Sequence, residues 1–478
     1  MSVAAAGAAA APDSMARVVV DPGFEAPVQT DVLIVGAGAC GLMAALLLAD
    51  LGVDAVVLER DAQPSGSTSL SSGFIPAAGT RAQQALGIDD SPERFAEDIQ
   101  GKAHGTAAPA LVAAYTQAIA PALDHLEARH GLQWEVLTGF LYPGHSRHRM
   151  HTLAARTGVA LEQALEAAVA AAGVPVLTEA QATELVVDGE QRVLGVRARR
   201  PDGSVEAVGC RALLLACNGY GGAPALVQRF IPEMAEATFG GHTGNDGTAL
   251  HWGEALGARL ADMRAYQGHG SWAVPHGVLM TWALMVEGGV HINREGRRFH
   301  DESQGYSEAA LHVVAQPDGI AWAVFDTPVH ALAQGFPDFV EAEAAGAVRR
   351  ADSVAALAQV IGCEADVLAA TLGAWTPGEP DAFGRRLPRR LAAPFFAVKV
   401  TGALFHTQGG LDIDARTRVL DAGGAPLPNL WAAGGAARGV SGNHVSGYLS
   451  GNGLLSAVAG GYIAAHDMAA FLRTSTPA

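Results

Sequence analysis

The feature that most restricts this chain is a glycine triplet. Gly36, Gly38 and Gly41 stand as G-x-G-x-x-G directly after DVLIV (31–35) and directly before LMAALLLADLG. The first segment is an apolar run of strand length, and the second has the pattern of a buried helix. VDAVVLER follows, with Glu59 near its end. Together they make a βαβ unit of about 30 residues. The spacing has a physical basis. Gly36 permits a tight turn, Gly38 lets the backbone approach a pyrophosphate, and Gly41 lets helix and strand pack closely. The helix start then turns its positive end towards phosphates, and Glu59 can accept ribose hydroxyls. The triplet alone does not choose between NAD and FAD.

The rest of the chain bears on that choice. ALLLACNGYGG (212–222) is a second strand followed by a glycine turn, and LPNLWAAGGAARG (427–439) is a third. Several backbone crossings suit a cofactor as long as FAD. Between these turns lie alanine-rich helical patterns at 91–130 and 160–172. A β-rich stretch follows, with hairpin signals at DGEQ and PDGS. Composition shifts near residue 265 towards tryptophan, histidine and glycine. Residues 318–395 read as a small α+β segment, and a long glycine–alanine helix is expected from about Gly453 to Arg473. No internal repeat is visible.

Composition excludes several classes. Hydrophobic residues are 49% and charged residues 17%, so a large core is available and global disorder is excluded. The net charge of −17 repels polyanions, which argues against nucleic acid as a partner. Lysine occurs only at Lys102 and Lys399, which disfavours Schiff-base chemistry. Four cysteines without a CxxC make no disulfide framework, and a reducing cytoplasm is expected. Val32–Ala49 is uncharged over 18 residues, but its glycines and Asp50 speak for a buried βα turn, and no stable membrane insertion is expected. The alanine-rich N-terminus lacks a basic region, so no signal peptide is expected, and Met15 is an alternative start.

Seven ordered segments then give the chain a family resemblance: GSTSLSSGFIPAAGT (66–80), TGNDGTALHWGEALGA (243–258), GGVHINREGRRFHDE (288–302), PFFAVKV (394–400), HTQGGLDID (406–414), LPNLWAAGG (427–435) and SGYLSGNGLL (446–455). From about Thr30 to Ala464 the sequence resembles the flavoprotein superfamily of fumarate reductase and 3-ketosteroid dehydrogenase. The resemblance implies an α/β fold: a Rossmann-like FAD-binding domain, with parallel sheet and β-meander, carrying an inserted α+β catalytic or capping domain. Expected bounds are a flexible tail at 1–29, the FAD-binding domain at 30–265 and 396–478, and the insertion at 266–395, with the active site between the domains. Covalent members attach FAD through a histidine in the segment aligned with GSTSLSSG; here position 67 is Ser67, so noncovalent FAD is implied.

The implied cofactor contacts follow the motifs. Gly36, Gly38, Ala39, Cys40 and Gly41 form the first turn, with Glu59 and Arg60 after the next strand. Ser67, Thr68, Ser71, Ser72 and Gly73 offer hydroxyls and amides. Ala182, then Ala216, Cys217, Asn218 and Gly219, then Asn245 and Asp246 come from the middle of the chain. Gly434, Gly435, Asn452, Gly453, Leu454 and Leu455 come from its end. Gly435 stands where many members have a glutamate, so that contact is weakened or relocated.

Two departures separate the chain from fumarate reductases. Tyr306 and Tyr448 occupy the positions of the proton-donating and carboxylate-binding arginines. A dicarboxylate needs cationic, often bidentate partners, which tyrosine does not supply. The two tyrosines are instead similar to the ketosteroid dehydrogenase pattern. There the first acts as base; the second, with the backbone N–H four residues on (here Asn452), polarises the substrate ketone. Ser450 matches a serine of the 4-dehydrogenase branch and is a candidate proton relay. His406 matches a substrate-binding histidine of fumarate reductases, and Arg438 is a cation that could replace a missing arginine. No metal site is expected, since His242, His269, His276 and His444 lack ligand spacing.

The implied reaction is FAD-dependent desaturation α,β to a ketone in a cyclic, steroid-like substrate. Tyr306 takes the α-proton, hydride passes to flavin N5, and the enolate is held by two donors and the helix end. Partners are then a small ketone or enone and an external electron acceptor or donor. The alternatives are a fumarate reductase-like reduction of an unsaturated ketone or acid, and a non-catalytic flavin-binding subunit.

Overall fold

Val28–Val35 is buried over its second half, which demands neighbours on both sides. The computed structural model, which describes residues 16–474, supplies them. Ala55–Leu58 runs parallel on one side, pairing Val35 with Leu58. Val205–Leu215 runs parallel on the other, pairing Leu215 with Val35. Pro426–Ala432 continues the parallel order, pairing Ala432 with Leu215. Four parallel strands thus end in one row. The residues that follow them are Gly36, Glu59, Ala216 and Ala433, so all three glycine turns and the acidic end share one carboxyl edge. With strands about 4.8 Å apart, that edge spans about 15 Å. Open α/β sheets bind their ligands outside this edge.

The first half of Val205–Leu215 instead pairs antiparallel with Val193–Arg199, which pairs antiparallel with Gln181–Val187. This is the expected meander, and it completes a nine-stranded sheet. The fold is therefore α/β of the expected type. One expectation changes. Arg17–Val20, placed within the tail, is an edge strand running parallel to Gln181–Val187. Arg17 also reaches Glu184 with its Nε at 3.0 Å. Residues 1–15 lie outside the described residues.

The helix Ala39–Asp50 follows the first turn and buries Ala39 to Leu48 without a break. Its last turn gives way at Gly52, whose φ is +71°, a left-handed stop that glycine adopts without strain. The C-terminal helix Asn452–Thr474 crosses it where Gly461 meets the Cys40 carbonyl; any Cβ at 461 would overlap that oxygen. This helix is long and apolar enough to cross a membrane, but 61% of its apolar window is buried in the protein. Burying a leucine such as Leu455 there is worth about 1.5–3 kcal/mol, which accounts for the apolarity.

The chain divides into two compact units. One holds residues 1–231, 241–265 and 406–478; the other holds 232–240 and 266–405. The second unit is built on a seven-stranded sheet in which Phe395–Thr407 pairs with Ile320–Asp326 along seven residues. Because that strand belongs to this sheet, the boundary expected at residue 395 falls at Phe405 instead. The helix Tyr306–Val314 lies against the strand Tyr266–Ala273. The close approach needs Gly268 and Gly270, where a Cβ would stand 2.6 Å from Ala310 and Ala309. The loop before this helix is fixed by buried charge. The Glu302 carboxylate accepts from Arg385 Nη1 at 2.8 Å and from Arg298 Nη2 at 2.6 Å, and these cations hold its carboxyl far below the usual range against the cost of burial.

Candidate functional site

The carboxyl edge of the first unit fits a dinucleotide such as FAD. Gly36 has φ +109°, and a Cβ there would come within 2.5 Å of the Ala216 carbonyl. At Gly38 a Cβ would meet only Thr68 Oγ1, at 3.3 Å, so the start of the following helix is otherwise open. Thr68 Oγ1 accepts from the Ala39 N–H at 2.9 Å, which ties the Ser67–Gly73 loop to that start. Glu59 is 8% exposed and accepts from the Ala37 and Asp61 N–H groups at 2.9 Å each. A carboxylate has four lone-pair sites, so two remain for ribose hydroxyls. Gly73 and Ser71 close the loop: the Ser71 carbonyl accepts from Gly158 N–H at 2.8 Å. Ser72 is half-buried on the same loop.

Other cofactor candidates have structural duties as well. Arg60 Nη1 donates to the Gly244 carbonyl at 2.9 Å and to Asp246 at 3.2 Å, so it holds the loop of Asn245 and Asp246. Ala182 lies at a β-bulge between residues 182 and 184. Cys40 and Cys217 are neutral thiols, pushed up to about 12 chiefly by burial, so only their backbones suit cofactor binding.

The glycine at 435 has a cause that sequence reasoning did not reach. A Cβ there would overlap Asn218 Oδ1. Asn218 sits at φ +64° and donates from Nδ2 to Ser67 Oγ at 2.7 Å. Asn245 Nδ2 reaches the same hydroxyl at 3.4 Å. The space for a side chain at 435 is therefore taken by an amide, and Asn218, Ser67 and Asn245 form one polar group.

At the end of this unit a second set converges. Tyr448 is 5% exposed, and its ring meets His406 edge-on with centroids 5.8 Å apart. Gly453 lies beside both. A Cβ there would stand 2.8 Å from His406 Nε2 and 3.7 Å from the Tyr448 hydroxyl. Behind them runs a chain of neutral groups. Asn452 Nδ2 donates to Ser441 Oγ at 3.0 Å, Ser441 donates to Gln408 Oε1 at 2.9 Å, and Gln408 Nε2 donates to His406 Nδ1 at 3.1 Å. Nδ1 also lies 3.3 Å from the Thr407 carbonyl; accepting from Gln408 leaves the proton on Nε2, and donating to Thr407 places it on Nδ1. Burial pushes His406 down to about 4, so it is a neutral donor. Gln408 and Ser441 were not anticipated; the only signal was Gln408 inside HTQGG.

Two expectations change here, those for Asn452 and Arg438. The Asn452 N–H, expected to polarise a ketone, donates to the Leu449 carbonyl at 3.0 Å. Gly453 and Leu454 follow in the first turn, where helices leave N–H groups without intrahelical partners. Arg438 is committed: Nε donates to Asp262 at 2.9 Å and Nη1 to Asp412 at 3.0 Å. Ser450 is fixed through its carbonyl, which His145 Nε2 approaches at 2.9 Å. His145, backed by the buried Arg149, was not singled out from sequence.

In the second unit, Tyr306 opens its helix directly after Gly305. Its ring stacks on His269 at 5.0 Å and 19°. Trp282 meets the Tyr306 ring edge-on at 6.2 Å. One group among the described residues has metal-ligand geometry: Asp50, His125 and His130. Arg129 also donates to Asp50 at 3.1 Å, so the cluster reads as an ion-pair knot between helices.

A family model described as FAD binding domain matches residues 31–454. The NADH:fumarate oxidoreductase of Klebsiella pneumoniae is 27% identical over 93% of this chain, which spans 48% of that protein. The chain is thus about half the length of that relative. The solved open conformation of a flavocytochrome c3 fumarate reductase is 26% identical, with TM-score 0.80 over 94% of this chain and 79% of the other. The 3-ketosteroid-delta4-(5alpha)-dehydrogenase of Rhodococcus jostii RHA1 shares the fold at 23% identity, TM-score 0.74, over 94% and 98%.

Proposed function

The chain belongs to the FAD-binding domain family, as an FAD-dependent oxidoreductase of the fumarate reductase and ketosteroid dehydrogenase type, and on that premise we propose that it desaturates a cyclic, steroid-like ketone next to the carbonyl. One observation carries this reading. The groups gathered at the C-terminal helix start are neutral donors, Tyr448 and His406, while Arg438 is committed to two aspartates. A neutral carbonyl suits such a set; a dicarboxylate calls for cations.

Bound FAD supplies the redox chemistry by taking up or returning an electron pair. The chain's own residues manage charge and protons. The Tyr448 hydroxyl and the Gly453 N–H, in place of the Asn452 N–H, polarise the carbonyl. The helix end adds partial positive charge as an enolate develops. The nearer partner of His406 Nδ1 is the Gln408 amide, at 3.1 Å against 3.3 Å for the Thr407 carbonyl; in the tautomer that Gln408 selects, Nε2–H is a donor for that oxygen. Tyr306 takes or returns the α-proton; an ordinary tyrosine titrates near 10, so it acts with a partner that disposes of the proton. Ser450 lines the segment beside Tyr448.

The opposite direction is the second reading. The fumarate reductase names of the relatives favour reduction of an unsaturated substrate, and the same donors would polarise an enone. An external electron acceptor or donor is required in either direction. The four cysteines are free thiols, which supports a reducing, cytoplasmic setting. The test is anaerobic. FAD-loaded protein is mixed with cyclic 3-ketones plus an oxidising dye, and separately with the matching enones or fumarate plus a reduced dye. Dye reduction by ketones supports desaturation. Turnover only with fumarate sinks it.

A further inference from the structure

Tyr448 and Gly453, the two donors proposed above, flank a tight turn. The Asn452 N–H donates to the Leu449 carbonyl at 3.0 Å, which closes Leu449–Asn452 as a four-residue β-turn. Gly451, its third residue, has φ +88°, and Ser450, its second, has a negative φ. Those signs make the turn type II. Types I and II differ by a flip of the central peptide, so that the Ser450 carbonyl and the Gly451 N–H exchange sides. Glycine adopts φ of either sign, so Gly451 alone does not choose between the two forms. Packing supplies part of the choice. A Cβ at Gly451 would stand 2.6 Å from Pro76 Cδ, and one at Gly144 would stand 2.8 Å from Leu449 Cδ1. A hydrogen bond supplies the rest: His145 Nε2 meets the Ser450 carbonyl at 2.9 Å.

Both partners of His145 impose the same tautomer. A carbonyl oxygen only accepts, so Nε2 carries the proton. Arg149 Nη1 lies 3.2 Å from His145 Nδ1, and a guanidinium only donates, so Nδ1 is a lone pair. Burial, and then the Arg149 charge, push His145 down to about 4, so the ring stays neutral. Arg149 is itself fixed. It is 1% exposed, it donates from Nε and Nη2 to Asp90 at 2.9 Å each, and it donates from Nη1 to Asp98. The Phe95 ring lies 4.7 Å from its guanidinium carbon. A purely structural role accounts for the arginine and the two aspartates, which satisfy one another. It does not call for a histidine, because all three guanidinium nitrogens already have carboxylate partners. What the imidazole adds is a donor of fixed direction for the carbonyl of the turn.

We propose that His145 is a positioning residue for the carbonyl site: by holding the Ser450 carbonyl it locks the Leu449–Asn452 turn in its type II form, and so sets the separation and direction of the Tyr448 hydroxyl and the Gly453 N–H. The proposal rests on the reading of those two groups as the donors to the substrate oxygen. Donors of this kind work by being in place before charge develops on the oxygen. Tyr448 directly precedes the turn and Gly453 directly follows it, so the form of the turn is shared by both. A flip of the central peptide would put a carbonyl oxygen where the Gly451 N–H now stands and would re-aim the residues on either side. His145 acts through Ser450 and exchanges no proton.

The experiment compares two variants of the FAD-loaded full chain with a saturated cyclic 3-ketone of steroid size and an oxidising dye. Glutamine and methionine are unbranched and equally long, but only glutamine has an N–H for the Ser450 carbonyl and an acceptor for Arg149. His145→Met should lose about 10- to 100-fold in kcat with KM little changed, because misplaced donors weaken the hold on the enolate more than on the ketone. His145→Gln should keep most of the wild-type kcat. Both variants should bind FAD and share a thermal midpoint, since both lose the same ring. In the Tyr448→Phe background His145→Met should cost much less than it does alone, because one donor it positions is already gone. Wild-type kcat in His145→Met, alongside an inactive Tyr448→Phe, would overturn the positioning role and leave the reading of Tyr448 standing. Equal losses in His145→Met and His145→Gln, or a loss that multiplies in full with Tyr448→Phe, would overturn it too. An active Tyr448→Phe would overturn both. If His145→Met does not fold, His145→Leu takes its place against His145→Gln under the same criteria.

Discussion

Each unit contains uncharged histidine, half-buried at His406 and buried at His291 and His300, but the two settings differ in what the imidazole is free to do. His406 in the first unit has its Nδ1 3.1 Å from the Gln408 amide and 3.3 Å from the Thr407 carbonyl, so the nearer, donating partner favours one tautomer. His291 and His300 in the second unit face each other nitrogen to nitrogen, so either polarity is allowed. Burial and lowered proton affinity are common to both. The partner decides the freedom: a nearby amide biases the tautomer of His406, and a facing imidazole leaves the polarity of the His291–His300 pair open.

The largest expected effect lies on the fixed side. Tyr448→Phe removes one of two donors to the carbonyl oxygen and should cost about 100- to 1,000-fold in turnover, with FAD still bound; steady-state dye reduction measures it. Next comes the partner exchange that the comparison rests on. Gln408→Leu frees His406 to change tautomer and strands Ser441. Turnover should fall about tenfold and stability by about 1–3 kcal/mol, read by kinetics and denaturant unfolding. If Gln408→Leu matches the wild type in both, a fixed tautomer at His406 is unnecessary.

The smallest effect concerns a buried, poorly partnered carboxyl. Both Glu162 oxygens are buried without a well-formed hydrogen bond, and burial raises its carboxyl to about 7 against the weaker opposing pull of Ser69. Its folded proton affinity exceeds the unfolded one, so the folded state binds the extra proton. Stability is then greatest below the unfolded value near 4.5 and is lost as pH rises through about 7. Glu162→Gln should remove this dependence and stabilise the protein by about 1–3 kcal/mol above that range. Thermal midpoints against pH check it, and an unchanged slope in the variant contradicts it.

Much of the first unit was legible because its signals are local. A strand, three glycines and Glu59 lie within one βαβ unit, and the other two glycine turns each follow their own strand. Register then places all of them on one edge. What was not legible depends on geometry between distant residues. Asn218 fills the space at Gly435 from across the edge, 217 positions away in the chain. The Asn452 N–H is lost to a turn that begins at Leu449, a detail of backbone angle with no side-chain signature. The neighbouring rings of His269, His291, His300 and His312 come from two strands, a loop and a helix; only His291 and His300 share a motif, GGVHINREGRRFHDE.

Anaerobic flavin absorbance separates a ketone-desaturating site from a dicarboxylate-reducing one. FAD-loaded wild type and Tyr448→Phe are each titrated with a saturated cyclic 3-ketone and then, in the reduced form, with fumarate. The ketone should bleach the wild-type flavin, Tyr448→Phe should bind FAD without bleaching on the same timescale, and fumarate should reoxidise neither. Rapid reoxidation by fumarate, with no bleaching by any ketone, would contradict it.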